Sequence, residues 1–120
     1  SHPQVADYLN RIRQPFNVNH IAQNAAIAAL ADEAFLVRSI SANKNGLLQL
    51  SQGFDRLRLS YIPSHANFVS VKVKDAGATY QKLLEKGFIV RPVEMKGYLR
   101  VSVGTRNENE EFLSALKSVL

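Results

Sequence analysis

The 120-residue sequence contains no cysteine, no tryptophan and a single methionine. Without cysteine there are no disulfides and no thiolate chemistry, which agrees with a cytoplasmic protein. No apolar run approaches the roughly 18 residues of a membrane span, and no signal-peptide pattern is visible. The hydrophobic content of 46% and charged content of 21% are ordinary for a soluble globular protein. A length of 120 residues is enough for a single core but not for two, so we expect one domain over residues 1–120.

The common sequence signatures of stand-alone enzymes are also missing. The three histidines, His2, His20 and His65, lack metal-ligand spacing, so no metal site is predicted. There is no G-x-G-x-x-G motif, no P-loop and no G-x-S-x-G elbow. The sequence therefore shows no free-standing catalytic site.

The charge balance is basic, with 15 Lys and Arg against 10 Asp and Glu, which gives a net charge of +5. These cations are scattered, and they form neither a basic run nor the aromatic-basic strand motif of RNA-binding domains. We therefore expect no nucleic-acid partner. Attraction to a small anionic molecule fits the charge equally well.

Apolar spacing and capping residues predict helices that alternate with short strands. Predicted helices cover residues 5–13, a segment holding residues 21–30 after an Asn17 or Asn19 cap, residues 32–57, the segment from Asp75 to Gly87, and the segment opened by the Thr105–Glu108 capping box. Predicted strands cover residues 59–62, 68–73, 88–91 and 99–103. Gly46 costs about 1 kcal/mol relative to alanine inside the long helix, which allows a bend or break there. The fold class is α+β, a small antiparallel or mixed sheet of three to four strands packed against helices.

The strand segment LRVSVGT (99–105) alternates apolar with polar residues, which places Arg100 on the polar face. A guanidinium fixed on a strand is a preorganised fork for a carboxylate or phosphate. Arg91 ends another apolar run before Pro92, so two cations can converge beside one sheet. Position alone still favours a simpler alternative, two solvated arginines on an open face.

Three segments occur in order along the chain: RQPFNVN (13–19), SxANF (64–68) and LRVSVGTRxENExF (99–112). Together they resemble the C-terminal part of the histidinol-phosphate aminotransferase family, pyridoxal-phosphate enzymes of the aspartate aminotransferase fold type. The resemblance runs from about residue 5 to residue 120. It implies the small domain of such an enzyme, with connecting helices at about 3–57.

The resemblance also implies roles for individual residues. It places Arg100 at the family's substrate-anion arginine and Arg91 at a second arginine that helps to hold the substrate phosphate. Phe16 and Asn17 match residues that line the substrate pocket, where a phenylalanine makes apolar contacts only. Asn67 is a further candidate for substrate binding, although a strand-start asparagine bonding to local backbone explains it equally well.

In this family the cofactor lysine lies upstream, in the large domain, and none of the seven lysines here has a similar context. The resemblance thus implies a catalytically inactive fragment whose partners are a phosphate or carboxylate substrate and the missing large domain, with a homodimer in the full-length enzyme. The implied reaction converts histidinol phosphate and 2-oxoglutarate to imidazole-acetol phosphate and glutamate, in histidine biosynthesis. The alternatives are a related aromatic aminotransferase, a threonine-phosphate decarboxylase, or a stand-alone anion-binding regulatory module.

Overall fold

The computed structural model describes residues 2–14 and 16–120. Within these residues the chain forms five helices and a sheet of four strands, as the α+β prediction requires. The elements in chain order are α1 (Pro3–Ile12), α2 (His20–Ala31), α3 (Glu33–Arg56), β1 (Tyr61–Ile62), β2 (Phe68–Lys72), α4 (Ala76–Glu85), β3 (Arg91–Pro92), β4 (Tyr98–Ser102) and α5 (Arg106–Val119). None of the helices in this part of the chain is long and apolar enough to cross a membrane.

The chain divides into two compact units, Ser1–Leu36 and Val37–Leu120. In the first unit, helix formation follows local signals. The Asn19 side chain accepts a hydrogen bond from the Ala22 N–H at 2.9 Å, which caps α2. Neither α1 nor α2 contains a buried residue.

The second unit is built around an antiparallel sheet with the strand order β1-β2-β4-β3. Exposure alternates along the two central strands, so Val69 and Val71 of β2 share the buried face with Leu99 and Val101 of β4. Helical side chains cover this face and complete one core. The core consists of Leu50, Phe54, Val69, Val71, Val73, Leu83, Val90, Leu99, Val101, Phe112, Leu116 and Val119.

Helix α3 runs unbroken through Gly46, so a break at this glycine does not occur. Gly46 is buried, and a Cβ atom there would overlap the Val103 side chain and lie 3.1 Å from Asn109 Nδ2. The glycine therefore allows α3 to approach the end of β4 closely.

The predicted bounds of the third strand, residues 88–91, are wrong: β3 comprises only Arg91–Pro92. Gly87 adopts a φ of 85°, and the Phe88 N–H then donates to the Leu83 carbonyl at 2.9 Å. The Phe88 ring packs against Phe112, with 6.1 Å between the ring centroids. Phe88 thus completes the end of α4 instead of joining the sheet.

Candidate functional site

The face of the sheet opposite the core carries one row of side chains across all four strands. In the strand register, Arg91 lies directly opposite Arg100, Arg100 opposite Ser70, and Ser70 opposite Ile62. Directly opposed residues of an antiparallel pair have Cβ atoms about 4.5–5.5 Å apart and project from the same face. The structure therefore brings the two predicted arginines together, side by side.

This arginine row is electrostatically uncompensated. Neither the Arg91 nor the Arg100 side chain makes an ion pair or a hydrogen bond within the described chain. Lys72, on the same face and exposed, adds a third positive charge. Like charges directly opposite each other destabilise a sheet, and an anion beside this pair would offset that repulsion.

The two arginines differ in how they are held. Arg91 is exposed, whereas Arg100 is half-buried and its guanidinium carbon lies 4.0 Å from the centre of the Phe68 ring. Phe68 pairs with Ser102, which makes it a diagonal neighbour of Arg100 on the same face. Stacking on an aromatic face leaves the edge of a guanidinium, with its N–H donors, directed away from the ring.

Asn67 lies outside the arginine row. It lines an open groove of about 710 Å³ together with Leu47, His65 and Val103. Its carbonyl accepts the Val103 N–H at 2.9 Å, and its side-chain amide makes no hydrogen bond within residues 2–14 and 16–120. The substrate-binding role of Asn67 stays a prediction, and its amide is available to a ligand in the groove.

Phe16 and Asn17 belong to the N-terminal unit, where they precede the Asn19 cap of α2. Both residues are exposed, and Phe16 retains 91% of its accessible surface. Burying such a ring is favourable, so Phe16 is suited to contact a ligand or another polypeptide. Their roles in a substrate pocket also stay predictions.

The segment after β4 is fixed by Asn109, a buried residue that the sequence analysis did not single out. The Asn109 amide donates to the Gly104 carbonyl at 3.2 Å and to Gln49 Oε1 at 3.1 Å, and its oxygen accepts the Gly104 N–H at 3.0 Å. A buried amide that makes three hydrogen bonds is costly to replace. Asn109 lies three residues before Phe112, on the apolar stripe of α5, and this position could have indicated from the sequence that it is buried.

The capping box predicted for α5 is confirmed. Glu108 accepts the Thr105 N–H at 2.7 Å, and the Thr105 hydroxyl accepts the Glu108 N–H at 3.4 Å. Hydrogen bonds from the Thr105 backbone and side chain lower the pKa of Glu108 below its usual value. This cap starts α5 immediately after the segment that Asn109 fixes.

The site thus consists of two adjacent arginines, without an ion-pair partner among the described residues, on the open face of a small α+β sheet. The family model for aminotransferase class I and II matches residues 1–116, and the chain belongs to that family.

Among curated relatives, the chain is 54% identical to histidinol-phosphate aminotransferase of Methylobacillus flagellatus, over 98% of this chain and 33% of the relative. It is 53% identical to histidinol-phosphate aminotransferase 2 of Pseudomonas aeruginosa, over 97% of this chain and 32% of the relative. A solved histidinol-phosphate aminotransferase from Sinorhizobium meliloti, in complex with pyridoxal-5'-phosphate, superposes with a TM-score of 0.77 at 28% identity, over 98% of this chain and 34% of that one. The chain thus spans about a third of the length of the relatives it matches.

Proposed function

We propose that this chain is the substrate-binding small domain of a histidinol-phosphate aminotransferase. The full-length enzyme exchanges an amino group between histidinol phosphate and 2-oxoglutarate, as a homodimer in the cytoplasm. The observation that carries the proposal is the pairing of Arg91 with Arg100 on an open sheet face. Identity of about half to relatives with this activity supports the choice of substrates.

Arg100 is proposed to hold the anionic end of either substrate. Its planar guanidinium offers two parallel N–H donors to a carboxylate of 2-oxoglutarate or to the phosphate of histidinol phosphate. Arg91, directly opposite and exposed, adds a second positive charge that matches the phosphate dianion better than a single carboxylate. Fixing the anionic end restricts the substrate's motion, and orientation of this kind accelerates the reaction at the distant amino or keto carbon.

Pyridoxal phosphate supplies the electron sink for amino transfer when it is bound to the enzyme. It requires a lysine whose amine is activated by desolvation or by a neighbouring cation. All seven lysines of this chain are exposed. The residues present therefore do not fit the cofactor site, and we propose that the lysine belongs to a part of the enzyme outside this chain.

The substrate assignment is tested by assaying the full-length enzyme with competing donors. We expect amino transfer from histidinol phosphate to 2-oxoglutarate to have the highest kcat/KM. Phenylalanine as the preferred donor would favour an aromatic aminotransferase, and carbon dioxide release from threonine phosphate would favour a decarboxylase. Either result would contradict the proposal.

The cofactor assignment is tested on the isolated chain. After incubation with pyridoxal phosphate and gel filtration, we expect no adduct at a single lysine in one-to-one stoichiometry. A persistent absorbance band that one lysine substitution abolishes would overturn the assignment and favour an independent cofactor-binding module.

A further inference from the structure

We infer that Phe68 is a positioning residue, whose ring holds the guanidinium of Arg100 in the orientation that receives the substrate anion. The inference deepens the proposed function and rests on it. In this proposal Phe68, a residue of β2, contacts neither substrate nor cofactor and acts only through Arg100.

The geometry of the two side chains carries the inference. The guanidinium carbon of Arg100 lies 4.0 Å from the centre of the Phe68 ring, which is the distance of a stacked cation–π contact. The two residues lie on neighbouring strands, with Phe68 paired to Ser102 and Arg100 paired to Ser70. The contact therefore runs diagonally across two hydrogen-bonded strands, which keep its two ends at a fixed separation.

Phe68 has no role in the core that explains an aromatic residue at this position. It lies on the face opposite Val69 and Val71 and remains partly exposed. The aromatic pairs Phe54–Tyr61 and Phe88–Phe112 consist of other residues. Within the part of the chain that the structure describes, the ring contact recorded for Phe68 is the one with Arg100.

A free arginine side chain samples many rotamers, and ordering it on binding an anion costs conformational entropy. Stacking on Phe68 restricts that freedom before the substrate arrives. No guanidinium N–H group of Arg100 donates a hydrogen bond within the described residues, so these donors remain available to an anion. Within the described residues no aromatic ring stacks on Arg91, so the effect of Arg91→Ala on kcat/KM should depend less on Phe68.

The test is a double-mutant cycle in the full-length enzyme, with kcat/KM for 2-oxoglutarate as the measured quantity. Phe68→Leu should lower it about 2- to 30-fold, the range expected for a cation–π contact. Phe68→Tyr retains the ring and should restore activity to within about twofold of the original enzyme. In an Arg100→Ala background, Phe68→Leu should change the value by less than about twofold, because the residue acts only through Arg100.

Tyr98→Leu is the matched control, since it removes a half-buried aromatic ring from the same sheet face. It should leave kcat/KM for 2-oxoglutarate unchanged. If Phe68→Leu lowered kcat/KM equally in the original enzyme and in the Arg100→Ala variant, the positioning role would be overturned, while the assignment of Arg100 would stand. Failure of Phe68→Tyr to restore activity would have the same meaning. An Arg100→Ala enzyme with unchanged kcat/KM would instead overturn the proposed function, and the inference with it.

Discussion

The two units of the chain contrast in how their helices are stabilised. Among the described residues, every buried one lies in the unit Val37–Leu120, where Leu50, Phe54 and Leu83 are fully inaccessible to solvent. In the unit Ser1–Leu36, helices α1 and α2 contain no buried residue. The large exposed apolar residues of that unit are Val5, Tyr8, Leu9, Ile12, Phe16, Val18, Ile21, Ile27, Leu30, Phe35 and Leu36.

The contrast shows that helices in the two units are favoured by different features of the sequence. In the first unit, the Asn19 cap and the alanine-rich composition of α2 favour helix locally, without burial. In the second, the periodic apolar residues define a core within the chain itself. Exposed apolar residues such as those of α1 and α2 are typical of surfaces that bind another polypeptide.

The largest expected effect is the difference between Leu50→Ala and Leu30→Ala, both leucines in helices. Leu50 is fully buried, so its truncation should reduce the free energy of unfolding by about 2–5 kcal/mol. Leu30 is 78% exposed, and its truncation should change stability by less than about 0.5 kcal/mol. Urea denaturation of the isolated chain measures both values, and similar losses would show that α2 has a core of its own.

A smaller difference in stability is expected between alanine substitutions at two helical glycines. Gly46→Ala should destabilise the chain by about 1–3 kcal/mol, because the new methyl group overlaps Val103 and overpacking outweighs the gain in helix propensity. Gly77→Ala, where a Cβ has only an ordinary contact with Asp75 at 3.5 Å, should stabilise it by about 0.5–1 kcal/mol. Equal shifts in the denaturation midpoint would contradict the close approach described for Gly46.

The helices also show which features of the fold could be predicted from the sequence. The starts of α2, α4 and α5 were predictable, since Asn19, Asp75 and Thr105 cap these helices by local hydrogen bonds. Helix α1 begins at Pro3, two residues before its predicted start. The course of α3 through Gly46 was not predictable, because the reason for that glycine lies in the approach of a strand end far along the sequence. Local sequence does not encode such a contact.

In the candidate site, too, some features were predictable from local sequence and others were not. The alternation in LRVSVGT correctly separated Arg100 from the core residues Leu99 and Val101. The pairing of Arg91 with Arg100 depends on the register of β3 and β4, which in a hairpin is set by the connecting loop. The stacking of Phe68 on Arg100 depends on the register of a third strand, so no local sequence pattern indicates it.

The smallest expected effect is a pH dependence at the start of α5. Because the pKa of Glu108 is lowered in the folded chain, its contribution to stability is present above the usual glutamate pKa and is lost as the pH falls through the lowered value. Glu108→Gln should therefore lower the melting temperature at neutral pH and have less effect in acid. Glu111→Gln, an exposed glutamate in the same helix, is the control. A loss for Glu108→Gln that is independent of pH would contradict this account of the cap.

The central claim is that Arg91 and Arg100 together bind the substrate anion. It is tested most directly by half-reaction kinetics of the full-length enzyme with each arginine replaced by alanine. Hydrogen bonds to charged groups contribute about 1.5–3 kcal/mol each, so loss of the two that are proposed for Arg100 should lower kcat/KM at least about a hundredfold.

We predict that Arg100→Ala impairs both half-reactions, since both substrates are proposed to bind this arginine. Arg91→Ala should impair the reaction of histidinol phosphate more than that of 2-oxoglutarate, and Arg56→Ala, an exposed arginine of α3, should impair neither. Equal losses for the Arg91 and Arg100 variants on both substrates would contradict the division of roles. No loss for Arg100→Ala would contradict the anion site itself.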